Sequence, residues 1–462
     1  METKPLNSPT AANPYKSPTP DEIAIVALGI VNGLHPSVTV PKQTFVQLKE
    51  CNFNAAHLYG GHTSIEQKDA TATSLGYAAN SNISIIVGCY YFDLPSGNDQ
   101  TGMKDAKDFF EFFSIPKTYV NKDGIIKKNN SNAIKGWYLK DEPTYSQLEK
   151  PSDSSSFCLV NLYNLLKTDG QKRPIQVNLV GTKGEKTEYN PYQDYLDLFQ
   201  NNFKPNLWSY DLYPVTQKSC LINNKCNVDD NCKLSVLYQT FYEDLNIFQE
   251  RATATHGVFW AYVQSMEFIS GDTLYPAALE PYIRFEAFSA LAFGAQGIAY
   301  WNYMQQHNET SEVNTSALVD KYGTRMPAWY FAREVNYEIK QYSKVFVNSK
   351  LIKWAQVGQN YGGPVLGKNG IGAIQSIMGV GGRALVTQLR TNGHNYMIIV
   401  SHKIESYQFL KITFKPDLVI YELTPTNSHG EHCKEKQINT QTIQRQLIPG
   451  GYLIYEFIGE VS

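Results

Sequence analysis

The sequence predicts a (β/α)8 barrel followed by a small antiparallel, β-sandwich-like domain. Three observations predict it. Short β-branched or aromatic runs alternate with amphipathic segments eight times before residue 347. Those runs are almost continuously apolar, as parallel strands covered by helices are. From residue 348 the texture changes to apolar–polar alternation broken by turn signals, the pattern of antiparallel strands. The chain accordingly divides into a tether over 1–20, a barrel over 21–347 and a β-rich region over 348–462.

The strand-like runs are IAIVALGI (23–30), NAAHLYG (54–60), ISIIVGCYY (83–91) and IKGWYLK (134–140), then PIQVNLVG (174–181), LWSYDLY (207–213), GVFWAYVQ (257–264) and GIAYWNY (297–303). Each is bounded by Gly, Pro or Asn. Between them FVQLKEC, AKDFFEFF, CLVNLYNLLKT, YQDYLDLFQNN, VLYQTFYEDLNIFQERA, YIRFEAFSALAFGA and AWYFAREVNYEIKQY place apolar residues at three- and four-residue steps, the helical period. The weakest helix lies around 63–78, which is short of large apolar residues. A doubly wound open sheet is the competing fold, but no G-x-G-x-x-G or G-x-x-x-x-G-K-[ST] follows the first strand. In the last region ALVTQLRT, NYMIIVSHK, FLKITFK, LVIYELT and GGYLIYEFIG alternate between turns.

A net charge of −2 gives no electrostatic footprint for nucleic acid or an anionic membrane. No apolar run is long enough to span a bilayer. The N-terminus, METKPLNSPTAANPYKSPTPDE, lacks the apolar core of a signal peptide and reads as a tether of the kind that follows a cleaved signal or a lipid-anchored cysteine. The expectation is a secreted, periplasmic or cell-surface protein. Of seven cysteines, Cys220, Cys226 and Cys232 share one loop whose spacing suits a disulfide better than zinc. No H-E-x-x-H or G-x-S-x-G occurs, and His429 and His432 of HGEH lie in the β-rich region, so no metal or other cofactor is expected.

Catalytic groups of this fold sit at the C-terminal ends of the strands. Strand four ends Gly136-Trp137-Tyr138-Leu139-Lys140-Asp141-Glu142-Pro143, with adjacent carboxyls closing an aromatic run. In another setting Asp141 would cap a turn and Glu142 pair with Lys140; at a barrel strand end, chemistry is the stronger reading. Strand six ends Tyr210-Asp211, and strand seven ends Gln264, with Glu267 three residues on. For Asp211 the open roles are orienting a catalytic group, contacting hydroxyls, acting as base, or capping a turn before Pro214. Aromatics crowd the strand ends, and Tyr59, Tyr210, Tyr262 and Trp301 are candidates to face a sugar ring, with Asn178, Asn32 and His57 as hydroxyl contacts. Glu286 reads as a helical ion-pair residue.

The strand-four ending and the aromatic eighth strand resemble the clan A glycoside hydrolases, whose acid/base strand ends Asn-Glu, often followed by Pro. The resemblance covers the barrel. It implies an O-glycosyl hydrolase acting with retention on an oligo- or polysaccharide. Glu142 would be general acid/base, Asp141 would replace the family's Asn at the substrate 2-hydroxyl, and Trp301 would be the sugar platform. The family's nucleophile belongs at the end of strand seven, where Gln264 stands, so Glu267 reaches the site only if that strand runs on or bulges; otherwise it is a loop residue. Adjacent Asp-Glu also resembles β-hexosaminidases, and a Tyr and Asp on strand six resemble chitinase-like families, in which the substrate's acetamido group attacks. A hydrolase of N-acetylated sugars and a non-catalytic glycan-binding barrel therefore stay open.

Overall fold

The computed structural model describes residues 17–460 apart from 20, 31–37, 62, 90–99, 151–157, 183–191, 219–220, 223–224, 227–233, 271–272, 306–315, 359–364, 380–382 and 427–432. Most of the tether, Asn32, Cys220, Cys232, His429 and His432 thus lie outside the described residues, as does the side chain of Cys226.

Eight parallel strands close into a barrel in chain order. They are β1 (Ala24–Ala27), β2 (Ala55–Gly60), β3 (Ser84–Cys89), β4 (Ile134–Asp141), β5 (Ile175–Val180), β6 (Leu207–Asp211), β7 (Val258–Gln264) and β8 (Gly297–Trp301). Closure is made by β1 against β8, from Ala24 opposite Gly297 to Ala27 opposite Tyr300. The covering helices are α1 (Lys42–Glu50), α2 (Ile65–Asn80), α3 (Gln100–Phe113), α4 (Leu159–Lys167), α5 (Tyr192–Phe203), α6 (Tyr238–Ala254), α7 (Glu280–Ala292) and α8 (Pro327–Gln341). The weakly patterned α2 forms because Ser64 caps it, accepting from the Gln67 N–H at 3.2 Å. Its buried face is made largely of Ala70, Ala72, Ser74 and Ala78, small residues that need no large apolar stripe to sit close to the sheet. Among the described residues no helix is long and apolar enough to cross a membrane.

Alternation along each strand sorts the side chains into two cores. Trp137, Trp208, Tyr210 and Tyr300 point outward into the layer beneath the helices. Val26, Ile86, Tyr138, Leu207, Trp260 and Tyr262 fill the barrel itself. Trp260 takes its place because Gly297 lies opposite: a Cβ at 297 would stand 2.5–2.6 Å from the indole.

Beyond the barrel a six-stranded antiparallel sheet packs on a three-stranded one. With β9 (Lys350–Val357), β10 (Ile374–Gly379), β11 (Ala384–Thr391), β12 (His394–Ser401), β13 (Gln408–Phe414), β14 (Val419–Thr424), β15 (Lys434–Ile438), β16 (Thr442–Leu447) and β17 (Tyr452–Ile458), the orders are β9-β11-β12-β17-β14-β15 and β10-β13-β16. Val386, Met397, Ile399, Tyr455 and Phe457 meet Leu410, Ile412, Phe414 and Leu447 between the sheets. Leu385, Leu389, Ile398, Val400 and Ile454, on the other face of the large sheet, join the barrel's outer core. Phe288 of α7 stacks on Tyr452 at 3.6 Å. The strands expected to alternate, such as β11 and β12, are therefore apolar on both faces.

The sequence pattern does not predict a four-stranded antiparallel sheet that the chain forms after β6 and β7, ordered 234–236, 215–218, 273–275, 268–270, beyond the C-terminal ends of those strands.

Candidate active site

The backbone of β4 brings its two terminal carboxyls into play. Its register against β5 slips between Tyr138 and Lys140, so Asp141, rather than Lys140, pairs with Asn178. Glu142 then leaves the strand at φ 38°, the left-handed region, while its N–H donates to the Asn178 carbonyl at 2.8 Å. A side chain other than glycine held there costs roughly 1–2 kcal/mol, and such strain tends to gather at functional positions.

Asp211, at the end of β6, lies close enough to Glu142 and Asp141 to feel both carboxyls, and its Oδ1 has no hydrogen-bond partner. Burial, then the charges of Glu142 and Asp141, push the Asp211 carboxyl well above the usual carboxylate range. Neighbouring carboxyls of like charge favour a state in which one of them stays neutral. The sequence candidates Asp141, Glu142 and Asp211 thus form one cluster.

Asp141 accepts from Asn178 Nδ2 at 2.9 Å, and Asn178 Oδ1 accepts from the Ser209 hydroxyl at 3.0 Å. Gln176 Nε2 donates to Ser209 Oγ at 2.9 Å and to the Tyr262 hydroxyl at 3.2 Å. Tyr59 stands edge-on to Tyr138, ring centres 5.7 Å apart. Tyr213, just past β6, feels the charges of Asp211, Asp141 and Glu142, which with burial push its hydroxyl upward. Gln176, Ser209 and Tyr213 went unnoticed in the sequence. The signal was present: PIQVNLV and LWSYD place Gln176 and Asn178, and Ser209 and Asp211, two apart in otherwise apolar or aromatic strands.

The same alternation corrects one candidate. Tyr210 neighbours Asp211 and must face the other way; it is buried and stacked on Phe248 of α6 at 4.0 Å, under the helix layer rather than at the mouth. Glu286 is corrected too. It makes no ion pair among the described residues; the pairs of α7 belong to Arg284, with Glu280 and Glu338. Glu286 Oε2 instead accepts from the Gln264 backbone N–H at 2.8 Å, Oε1 has no hydrogen-bond partner, and burial pushes the carboxyl up to about 8.

At the end of β7 the Gln264 side chain donates to the carbonyls of Met266 and Pro276. The strand stops there, and Glu267 lies beyond it in an antiparallel bridge to Ser316, its N–H donating to the Ser316 carbonyl at 3.0 Å. Its neighbours Met266 and Phe268 are buried with Ala317 against Trp301, Tyr213 and Tyr275. In an extended segment Glu267 faces the side opposite to them. Trp301 is half-buried at the end of β8, and its peptide bond to Asn302 is cis. Among the described residues no group of three or more His, Cys, Asp or Glu is arranged to hold a metal ion.

No protein-family model and no curated protein matches this chain. Solved structures similar to it include a β-galactosidase from the psychrophilic Marinomonas ef1, 10% identical over 69% of this chain and 60% of that one, with a TM-score of 0.44. This chain therefore spans less than two thirds of that protein's length. A GH30 endoxylanase from Clostridium papyrosolvens C71 is 8% identical over 95% of this chain and 97% of that one, TM-score 0.42. A family 1 β-glucosidase from Thermotoga maritima is 13% identical over 64% and 85%, TM-score 0.40. The fold of this chain follows from its own closed strand order, and its functional reading from the residues at the barrel mouth.

Proposed function

We propose that the protein is an O-glycosyl hydrolase of oligo- or polysaccharides, with Glu142 as general acid. One observation carries the reading: Asp141, Glu142 and Asp211 bring three carboxyls together at the C-terminal ends of β4 and β6, where burial and the other two charges push Asp211 upward. Glycoside cleavage needs a proton delivered to the leaving oxygen, because an alkoxide departs poorly at neutral pH, and a negative charge to oppose the oxocarbenium ion. Asp141 and Asp211 beside Glu142 raise the affinity of the cluster for a proton, by the like-charge effect that keeps one of two neighbouring carboxyls neutral. Tyr59, Tyr262 and Trp301 supply aromatic surface for the sugar, and Asn178 and Asp141 polar contacts.

Retention of anomeric configuration belongs to the same proposal. A retaining pair of carboxyls stands ~5–5.5 Å apart and an inverting pair ~6.5–9.5 Å apart with water between. Asp211, pushed well above the usual carboxylate range, is better suited to hold a proton beside the acid than to serve as an inverting base. Glu267 is the protein carboxylate assigned to direct attack. A second reading, attack by the substrate's own acetamido group steadied by Asp141, is favoured by one observation: β7 ends on Gln264, and Glu267 lies outside the strand. Location outside the cytoplasm is part of the proposal, tested by fractionating cells that express the full gene.

Glu142→Gln keeps size and removes the acid. Turnover of glycans with poor leaving groups should fall on the order of 10²–10⁴-fold, while calorimetry shows sugar binding retained. Wild-type turnover in the variant overturns the assignment. Binding by the wild-type protein with no hydrolysis across a glycan panel favours the glycan-binding barrel instead.

A further inference from the structure

The barrel interior carries a continuous line of hydrogen bonds that reaches the mouth. It begins at His57 of β2, whose Nε2 lies 2.8 Å from Gln176 Oε1 and whose Nδ1 has no hydrogen-bond partner. It continues from Gln176 Nε2 to Ser209 Oγ, from Ser209 to Asn178 Oδ1, and from Asn178 Nδ2 to Asp141 Oδ1, at 2.9, 3.0 and 2.9 Å. His57, Gln176, Asn178 and Ser209 are all at most 2% exposed, so solvent does not reorient them.

Each member constrains the next. An amide oxygen can only accept, so His57 Nε2 bears a hydrogen. The Gln176 amide spends its hydrogens on Ser209 and Tyr262, leaving the single Ser209 proton for Asn178. Asn178 in turn offers an N–H to Asp141. Reversing the line requires both amides to flip, His57 to move its hydrogen to Nδ1 and Asp141 to become a donor by taking up a proton. The line has two self-consistent polarities, and hydrogen on Nδ1 of His57 at one end would require a protonated, donating Asp141 at the other.

We propose that the line runs one way, from His57 to Asp141, and that Gln176 and Ser209 are positioning residues which hold Asp141 as the ionised member of the carboxyl cluster. A proton held by the cluster is thereby confined to Glu142 and Asp211. Burial, which holds His57 down at about 4 despite its bond to Gln176, is consistent with a neutral ring carrying one hydrogen. Asp141 is faced by Glu142 next to it in the chain, by Asp211 and Tyr213 at β6 and by Tyr262 of β7, and its charge acts on Asp211, Tyr213 and Tyr262. Only the catalytic consequence rests on the glycosidase reading; the polarity does not.

Nitrogen NMR of the full chain labelled at histidine, with the His57 signal assigned by its loss in His57→Asn, reads the polarity directly. A neutral ring at pH 7 with hydrogen on Nε2 and a bare Nδ1 is expected. Hydrogen on Nδ1 instead, or a doubly protonated ring, overturns the proposal. In Gln176→Glu the side chain keeps its shape but cannot donate, so Ser209 and Tyr262 must turn toward it. His57 should then become doubly protonated at pH 7, and an unchanged neutral His57 counts against the line. Ser209→Ala frees Asn178 to turn, and the acid limb of kcat/KM against pH should move up by about one unit. A uniform loss at all pH values, with the limb unmoved, marks Ser209 as merely structural and sinks its positioning role. If no glycan is hydrolysed, the glycosidase reading fails while the tautomer of His57 still decides the polarity.

Discussion

Asp211 feels the charge of Glu142 across the barrel mouth, although one ends β6 and the other lies just past β4, with β5 between them. Two features bring them near each other. The slipped register at the end of β4 turns Asp141 toward Asn178, and the left-handed backbone of Glu142 carries the next carboxyl away from the strand line. Adjacent residues of a regular strand point to opposite faces, so without this departure only one of the two carboxyls would serve the mouth.

The anomeric outcome tests the role given to Asp211. Proton NMR of the first-formed product should show the substrate's own configuration. Early appearance of the opposite anomer would reject retention and restore Asp211 as base. Glu267→Ala then separates the routes. Activity lost and partly rescued by azide supports attack by Glu267, whereas unchanged activity assigns the attack to the substrate.

The two tyrosines on neighbouring strands should respond differently. Tyr262→Phe removes a hydroxyl that accepts from Gln176 and feels the charges of Asp141 and Asp211. It should lower kcat/KM by roughly tenfold, the value of about 1.4 kcal/mol. Tyr210→Phe keeps the stack on Phe248 and should leave kinetics unchanged. Tyr210→Ala should instead cost about 3–5 kcal/mol of stability, as loss of a buried aromatic does. Paired kinetics and denaturant melts check both; a KM change in Tyr210→Phe would contradict its outward placement.

Glu286 makes stability depend on pH. Its folded-state value is raised to about 8 by burial, against about 4.3 in an unfolded chain. The folded state therefore binds the proton more tightly, and the contribution, complete below pH ~4.3, is lost as pH rises toward 8. Glu286→Gln keeps an acceptor for the Gln264 N–H without the charge. Its stability relative to wild type should improve by a few kcal/mol between pH 5 and 8.5. Parallel pH series of denaturation midpoints that do not diverge would show that Glu286 is not buried as a neutral acid.

Gly297→Ala should destabilise the barrel by about 1–3 kcal/mol or more, as overpacking does. The added methyl would stand within 2.6 Å of the Trp260 ring, which fills the barrel interior. A melting temperature equal to wild type would mean that Trp260 has room to move.

The eight-fold rhythm was legible in sequence because strand and helix periods are local properties: GIAYW and AWYFAREV declare themselves without their neighbours. The carboxyls of Asp141, Glu142 and Asp211 could be picked out for a related reason, since a barrel exposes the ends of its strands and these end in acids. Phase within a strand was just as local, and LWSYD already implied that Tyr210 and Asp211 part company. What lay beyond the sequence was everything set by a departure from regularity or by distance across the barrel. The slip at Tyr138–Lys140, the turn of Glu142 and the capture of the Gln264 backbone by Glu286 arise from packing between segments far apart in the chain. The two-faced burial of β11 and β12 has the same origin, because a strand's apolarity records how many layers cover it, and the second layer here is α7 of the barrel.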